Sequence, residues 1–196
     1  MLFRNYVETL LGSKVKIKVL RTLWKFKEKE FTIRELAKFL GISHTGAKKA
    51  LDDLEKTNVV RVRTFGRSNA FKLNASSFGA SVIEKVFSME GIAFSELRDM
   101  LRRRLDSPLV ISAVLFGSIV EGRETPRSDI DLLIVTNQKG RVEKMIEDLQ
   151  KDVSERFGNP ISVYYVREGD LEKKRKESPV KQVLENHVLI CGKALR

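Results

Sequence analysis

The chain has 196 residues, 42% of them hydrophobic and 32% charged, which suits one ordinary domain or two small ones with a well-solvated surface. No apolar run approaches the ~20 residues that a spanning helix needs, and the start Met1-Leu2-Phe3-Arg4-Asn5-Tyr6-Val7-Glu8 lacks the apolar core of a signal peptide. The expected setting is cytoplasmic, with no membrane partner. The net charge of +11 is uneven: residues 1–75 hold 17 Lys+Arg against 7 Asp+Glu, net +10, and residues 76–196 hold 20 against 19, net +1. A basic excess confined to one part marks a nucleic-acid-binding module; a lysine-rich solvated face is the plainer alternative. Cys191 is the single cysteine, so no intrachain disulfide can form, and it is expected to be a small apolar filler.

From Val15 to Phe26 the apolar residues recur at helical spacing with lysines on the other face, which predicts a first helix. Thr32 with Glu35 three residues on forms a capping box for a second helix that runs to Leu40, and Gly41 suits the position just past its end. Ser43 caps a third helix with Ala47, Ala50, Leu51 and Leu54 as its buried stripe. Thr45, Lys48, Lys49 and Asp52 face outward. After Asn58 the period changes to two: Val60 and Val62 alternate with Arg61 and Arg63, and Phe71 and Leu73 alternate with Lys72 beyond the turn Phe65-Gly66-Arg67-Ser68-Asn69. This predicts a β-hairpin.

Helix, helix-turn-helix and basic hairpin in this order resemble a winged helix-turn-helix domain of the kind found in bacterial and archaeal transcription regulators, over residues ~12–75. The resemblance implies that the third helix enters the major groove of DNA through Ser43, His44, Thr45, Lys48 and Lys49. It also implies that Arg61, Arg63 and Arg67 of the wing reach phosphates or the minor groove. Winged helices also serve as protein-interaction or dimerisation modules, so that role stays open beside DNA binding.

Residues 76–107 form a connecting segment with helical spacing from Val82 to Leu105, a break expected at Gly91, and Arg102-Arg103-Arg104 at its end before Pro108. Its apolar stripe is too broad for a free linker, which leaves packing on the C-terminal domain or a homodimer interface. The arginine triplet is read as a solvated helix end or as a second polyanion contact. From residue 108 the pattern is strand (Leu109–Phe116), a short helix opened by Gly117-Ser118, a polar loop (Glu121–Ser128), strand (Ile130–Val135), helix (Arg141–Phe157), strand (Ile161–Val166) and further helix over 168–190. The expected division is therefore 1–75, 76–107 and 108–196, and the fold class is α+β.

Asp129 and Asp131 stand at i and i+2 at the head of an apolar strand, so both carboxylates share a face. Paired acids on such a strand call for a cation, and Mg2+ held by one or two carboxylates plus substrate phosphates fits best. With Phe116-Gly117-Ser118, ten intervening residues and Ser128-Asp129-Ile130-Asp131 between two apolar strands, the C-terminal part looks like the Gly-Ser…Asp-x-Asp signature of the DNA polymerase β nucleotidyltransferase superfamily, especially its minimal branch. The resemblance covers about residues 108–193. It implies a polymerase β-like mixed sheet with helices, nucleotide binding at Gly117, Ser118 and Ser128, and catalysis and metal binding, Mg2+ or Mn2+, at Asp129 and Asp131. It further implies transfer of a nucleotidyl group from an NTP, ATP first, to a hydroxyl acceptor. That acceptor is a protein such as a HEPN-type toxin, an RNA or a small molecule.

Two residues depart from that pattern. The third carboxylate expected on the next strand is replaced by Ser162, with Glu168 and Asp170 as distant substitutes, and Glu121 stands where relatives carry a basic residue, with Arg123 or Arg127 to compensate. The alternative function is a DNA-binding transcriptional regulator or antitoxin-like protein whose nucleotidyltransferase fold binds nucleotide without turnover.

Overall fold

The computed structural model describes residues 5–66 and 68–195 and divides into two compact units, Met1–Ile92 and Ala93–Arg196. The division falls inside the long helix α5 given below.

The first unit opens with α1 (Tyr6–Leu11), a helix absent from the periodicity reading, and α2 (Lys14–Lys25). Strand β1 (Phe31–Thr32) leads straight into α3 (Ile33–Leu40), where the Thr32 hydroxyl accepts from the Glu35 N–H at 3.2 Å and the Glu35 carboxylate accepts from the Thr32 N–H at 2.7 Å. That reciprocal cap fixes the helix start. Gly41 turns left-handed at φ 61°, and Ser43 then caps α4 (His44–Lys56) by accepting from the Gly46 N–H at 3.0 Å. Strands β2 (Val60–Phe65) and β3 (Ser68–Leu73) form the hairpin, in register from Val60 with Leu73 to Phe65 with Ser68, and β1 adds to β3 to give the order β1-β3-β2. Leu20, Leu23, Leu36, Leu51, Leu54, Val60 and Phe71 are buried in the core between helices and sheet. Helices α2 to α4 and a two-stranded wing closed by a short third strand make this a winged helix.

Helix α5 (Phe78–Leu105) runs unbroken through Gly91. The expected break does not occur because one glycine costs an interior turn only about 1 kcal/mol, and nothing crowds the helix at that point.

The second unit is built on a mixed sheet of order β6-β5-β4-β7, from β4 (Ser112–Phe116), β5 (Ile130–Val135), β6 (Ile161–Val166) and β7 (Val188–Gly192). Strands β5 and β6 are parallel, joined through α7 (Lys139–Phe157), whereas β4 is antiparallel to both β5 and β7. Along β5 the side chains alternate between two cores. Ile130, Leu132 and Ile134 pack with Leu101, Leu149 and Val153 on one face; Leu133 and Val135 pack with Val114, Phe116, Val180 and Val183 on the other. Burial on both faces explains why the strand reads as an almost continuous apolar run.

The expected helix over 168–190 is corrected. That stretch holds a 3-10 turn (Glu168–Asp170), further turns, the short α8 (Val180–Glu185) and then β7. Val188, Leu189 and Ile190 suit a strand as well as a helix, and Pro179 just before α8 limits what precedes it. Cys191 is buried and its thiol donates to the Leu105 carbonyl at 3.3 Å, while burial pushes its pKa up to about 11. It is a packed thiol and not a nucleophile.

Candidate functional site

The sheet register gathers the predicted residues at one end of the second unit. Phe116, the last residue of β4, pairs with Asp131, and Asp131 pairs in turn with Ser162 on β6. Gly117 follows Phe116 directly and is the N-cap of α6 (Ser118–Glu121), and Asp129 sits in the loop just before β5. Gly117, Ser118, Asp129, Asp131 and Ser162 therefore converge although 45 residues separate the first from the last.

Gly117 has φ 73° and ψ −151°, a backbone conformation essentially restricted to glycine. A Cβ placed there would collide with the Asp131 Oδ2 and stand 3.1 Å from its Cγ. The missing side chain is what lets the carboxylate lie against the turn. This ties the two halves of the signature together physically: the glycine serves the aspartate as well as any ligand.

The loop that carries Asp129 is held by its own hydrogen bonds. Ser128 Oγ accepts from the Thr125 N–H at 2.9 Å, the Ser128 carbonyl accepts from Asn159 Nδ2 at 2.9 Å, and the Ile130 N–H donates to the Pro160 carbonyl at 2.8 Å. The Ser128 hydroxyl thus shapes the loop that presents Asp129. Gln150 of α7 accepts from the Ile161 N–H at 2.7 Å and fixes the start of β6, so Ser162 has a defined place beside Asp131.

Asp131 is half-buried and Asp129 exposed. Desolvation, and then the Asp129 charge, raise the Asp131 carboxyl above its ordinary range. Among the described residues no cation lies within ion-pair distance of either acid. No group of three or more His, Cys, Asp or Glu gathers there either. Two unneutralised oxygen donors suit a hard divalent cation that draws its other ligands from water and phosphate.

Ser162 is exposed and stands where a third acid would complete the set. Glu168 and Asp170 cannot replace it. They lie beyond the other end of β6, about 20 Å along the strand by its rise per residue, and their carboxylates pair with Lys193 at 3.0 Å and Lys173 at 3.6 Å. Glu121 is paired with Arg123, so its charge is met within its own turn and Arg127 is left as the loop's other guanidinium.

In the first unit, Ser43, His44, Thr45, Lys48 and Lys49 are all exposed on the first two turns of α4, opposite the buried Ala47, Ala50, Leu51 and Leu54. Arg61 and Arg63 share the outer side of β2. Arg61 donates to Ser76 Oγ at 3.1 Å, and Arg63 lies 4.4 Å above the Phe65 ring and 3.8 Å from Glu30. Arg67 lies outside the described residues. At the end of α5, Arg104 pairs with Asp152 at 3.0 Å and Arg103 donates to the Asp99 carbonyl at 3.2 Å, so the triplet is partly tied to its own unit.

Fold and site together define a winged helix joined to a nucleotidyltransferase-like sheet. Residues 95–190 match the nucleotidyltransferase domain family. No curated protein matches the chain. Among solved structures it is similar to MepR, a transcription regulator of the Staphylococcus aureus multidrug efflux pump MepA, at 19% identity over 74% of this chain and 84% of that one, with a TM-score of 0.39. It is similar to reduced HlyU from Vibrio cholerae at 18% identity over 42% and 83%, with a TM-score of 0.36. A toxin-antitoxin structure with AMP-PNP shares 21% identity over 49% and 73%, with a TM-score of 0.32. At these values the likenesses carry no functional argument. No helix among the described residues is long and apolar enough to cross a membrane.

Proposed function

We propose that the protein is a divalent-metal-dependent nucleotidyltransferase that its winged helix tethers to DNA. The observation that carries the reading is the packing of Asp131 against Gly117, with Asp129 beside them and no protein cation to offset the two charges. Asp129 and Asp131 would hold Mg2+ or Mn2+, which supplies charge neutralisation on the triphosphate and at the α-phosphorus. Gly117 leaves room for the Asp131 carboxylate, and Ser118 offers its hydroxyl to phosphate. In the reaction an acceptor hydroxyl gives up its proton, its oxygen bonds the α-phosphorus of ATP or another NTP, and the α–β anhydride bond breaks to release pyrophosphate. With Ser162 in the third position the protein offers no carboxylate there to take that proton, so water or the acceptor's own surroundings receive it. The acceptor classes are a protein of the HEPN-toxin type, RNA or a small molecule.

The winged helix would place α4 in the major groove through Ser43, His44, Thr45, Lys48 and Lys49. Arg61 and Arg63 would lie along the backbone, in keeping with the net charge of +10 on residues 1–75.

Ser162 supports a second reading, a DNA-binding regulator whose second unit binds Mg-NTP without transfer. Incubation with α-labelled ATP, Mg2+ and a cell extract separates the two. Labelling of an acceptor by the wild type and not by Asp129→Ala supports transfer. Calorimetric binding of Mg-ATP with no labelling supports the regulator, and absence of both refutes the nucleotide site.

A further inference from the structure

The row of residues that holds Asp131 extends one strand further than the signature does. Leu115 pairs with Val188 across β4 and β7, and His187 is the residue just before β7, level with Phe116 when that register is continued by one residue. Val188 packs with Leu115 on the α7 side of the sheet, and side chains alternate along a strand, so His187 belongs to the opposite face. Its ring confirms the side: Nδ1 lies 2.6 Å from the carbonyl oxygen of Val183, which is buried on that face with Phe116. His187, Phe116, Asp131 and Ser162 thus form one row on one face at one end of the sheet. At ~4.8 Å per strand, the Cα atoms of His187 and Asp131 are about 10 Å apart.

A carbonyl oxygen only accepts, so Nδ1 carries a proton and donates it to Val183. This bond orients the half-buried ring and leaves Nε2 as its uncommitted position. From this geometry we infer that His187 is a nucleotide-binding residue whose Nε2–H, in the protonated ring, donates to a phosphate oxygen of an NTP anchored at Asp129 and Asp131. The inference rests on the nucleotide reading above. The plainer role, capping the last turn of α8, uses Nδ1 alone and makes no demand on Nε2.

That difference supplies the test. His187→Asn keeps a donor near the Nδ1 position and removes Nε2. Calorimetry of the full chain with ATP and Mg2+ is expected to show affinity about tenfold weaker or worse, the usual loss of a charge-assisted hydrogen bond, with the thermal midpoint retained. In the wild type, the ring resonances of His187 are easily assigned, since His44 is the only other histidine. They should move when Mg-ATP is added, while those of His44 stay. Wild-type binding of Mg-ATP with unmoved His187 resonances, or with equal affinity in His187→Asn, overturns the inference and leaves the nucleotide site standing. If the wild type binds no NTP, the nucleotide reading itself fails and this one with it.

Discussion

Gly117→Ala is the sharpest perturbation of the candidate site because two separate penalties meet at one atom. The backbone at φ 73°, ψ −151° lies in a region that costs a non-glycine residue roughly 1–3 kcal/mol. The added methyl would also strike the Asp131 carboxylate. For a unit of this size each kcal/mol shifts the midpoint by about 4–8 °C, so the variant's second unit should melt on the order of 5–20 °C lower. Gly158→Ala is the control: Gly158 has φ 77° with nothing near its absent side chain, so only the left-handed backbone cost of ~1–2 kcal/mol applies. The steric part is isolated by a double-mutant cycle with Asp131→Ala, read by denaturant unfolding. Removing the carboxylate should relieve the collision and leave the backbone strain, a coupling of about 1 kcal/mol or more. Mg-ATP binding should vanish in Gly117→Ala and survive in Gly158→Ala. Strict additivity in the cycle, or a Gly117→Ala protein that binds Mg-ATP normally, would refute the claim that this glycine exists to admit the aspartate.

Asp131→Asn should stabilise the metal-free protein at neutral pH: the folded-state carboxyl is raised above its unfolded value, so ionised Asp131 opposes folding, and this cost appears as pH rises through the raised range. The gain should shrink on acidification, and saturating Mg2+ should reverse the order of thermal midpoints. Ser162→Asp should tighten Mg2+ binding measured by calorimetry and lower the stability of the metal-free form, since it adds a third acid beside Asp131. Lys48→Ala and Arg63→Ala should each weaken binding to DNA and reduce the salt slope by about 1; binding that ignores salt would remove the DNA assignment. Cys191 should resist thiol reagents at pH 8 in the folded protein, with its pKa near 11, and react once denaturant exposes it.

The winged helix was legible because its local signals act over a few residues: the Thr32 and Ser43 caps, the Gly41 turn and the period-two wing all formed where the pattern put them. The same held for β5 and α7, whereas β4 starts at Ser112 and not at Leu109, because the Val110 N–H donates to the Ser107 carbonyl at 2.9 Å in a turn. The C-terminal stretch was not legible, because α8 and β7 are held by packing rather than by period. Val188 and Ile190 become strand residues only through pairing with β4. The site divides in the same way. Spacing exposed Gly117-Ser118 and Asp129/Asp131, but the closeness of Gly117 to Asp131 and the place of His187 in their row depend on strand order, which no local pattern states. His187 carried one weak signal, its position at the head of an apolar run after a short helix.

In the proposed reaction the acids Asp129 and Asp131 and the uncharged Ser162 bear on different steps. Asp129 and Asp131 without a cation are a liability to the fold, since desolvation and mutual repulsion both act on the inner carboxyl. A strand end with only a structural task would be more stable with a neutral residue there, so the arrangement makes physical sense when a cation joins it. Ser162 sits beside Asp131 in the parallel pair, on the side of the site away from β4, Gly117 and α6. In the proposed reaction its lack of charge would weaken the half of the site that receives and deprotonates an acceptor. The half proposed to meet the triphosphate keeps Gly117, Ser118, Asp129 and Asp131. On that proposal binding and transfer are separable, and an acceptor that brings its own base, or a hydroxyl already acidic, would restore transfer where a simple alcohol would not.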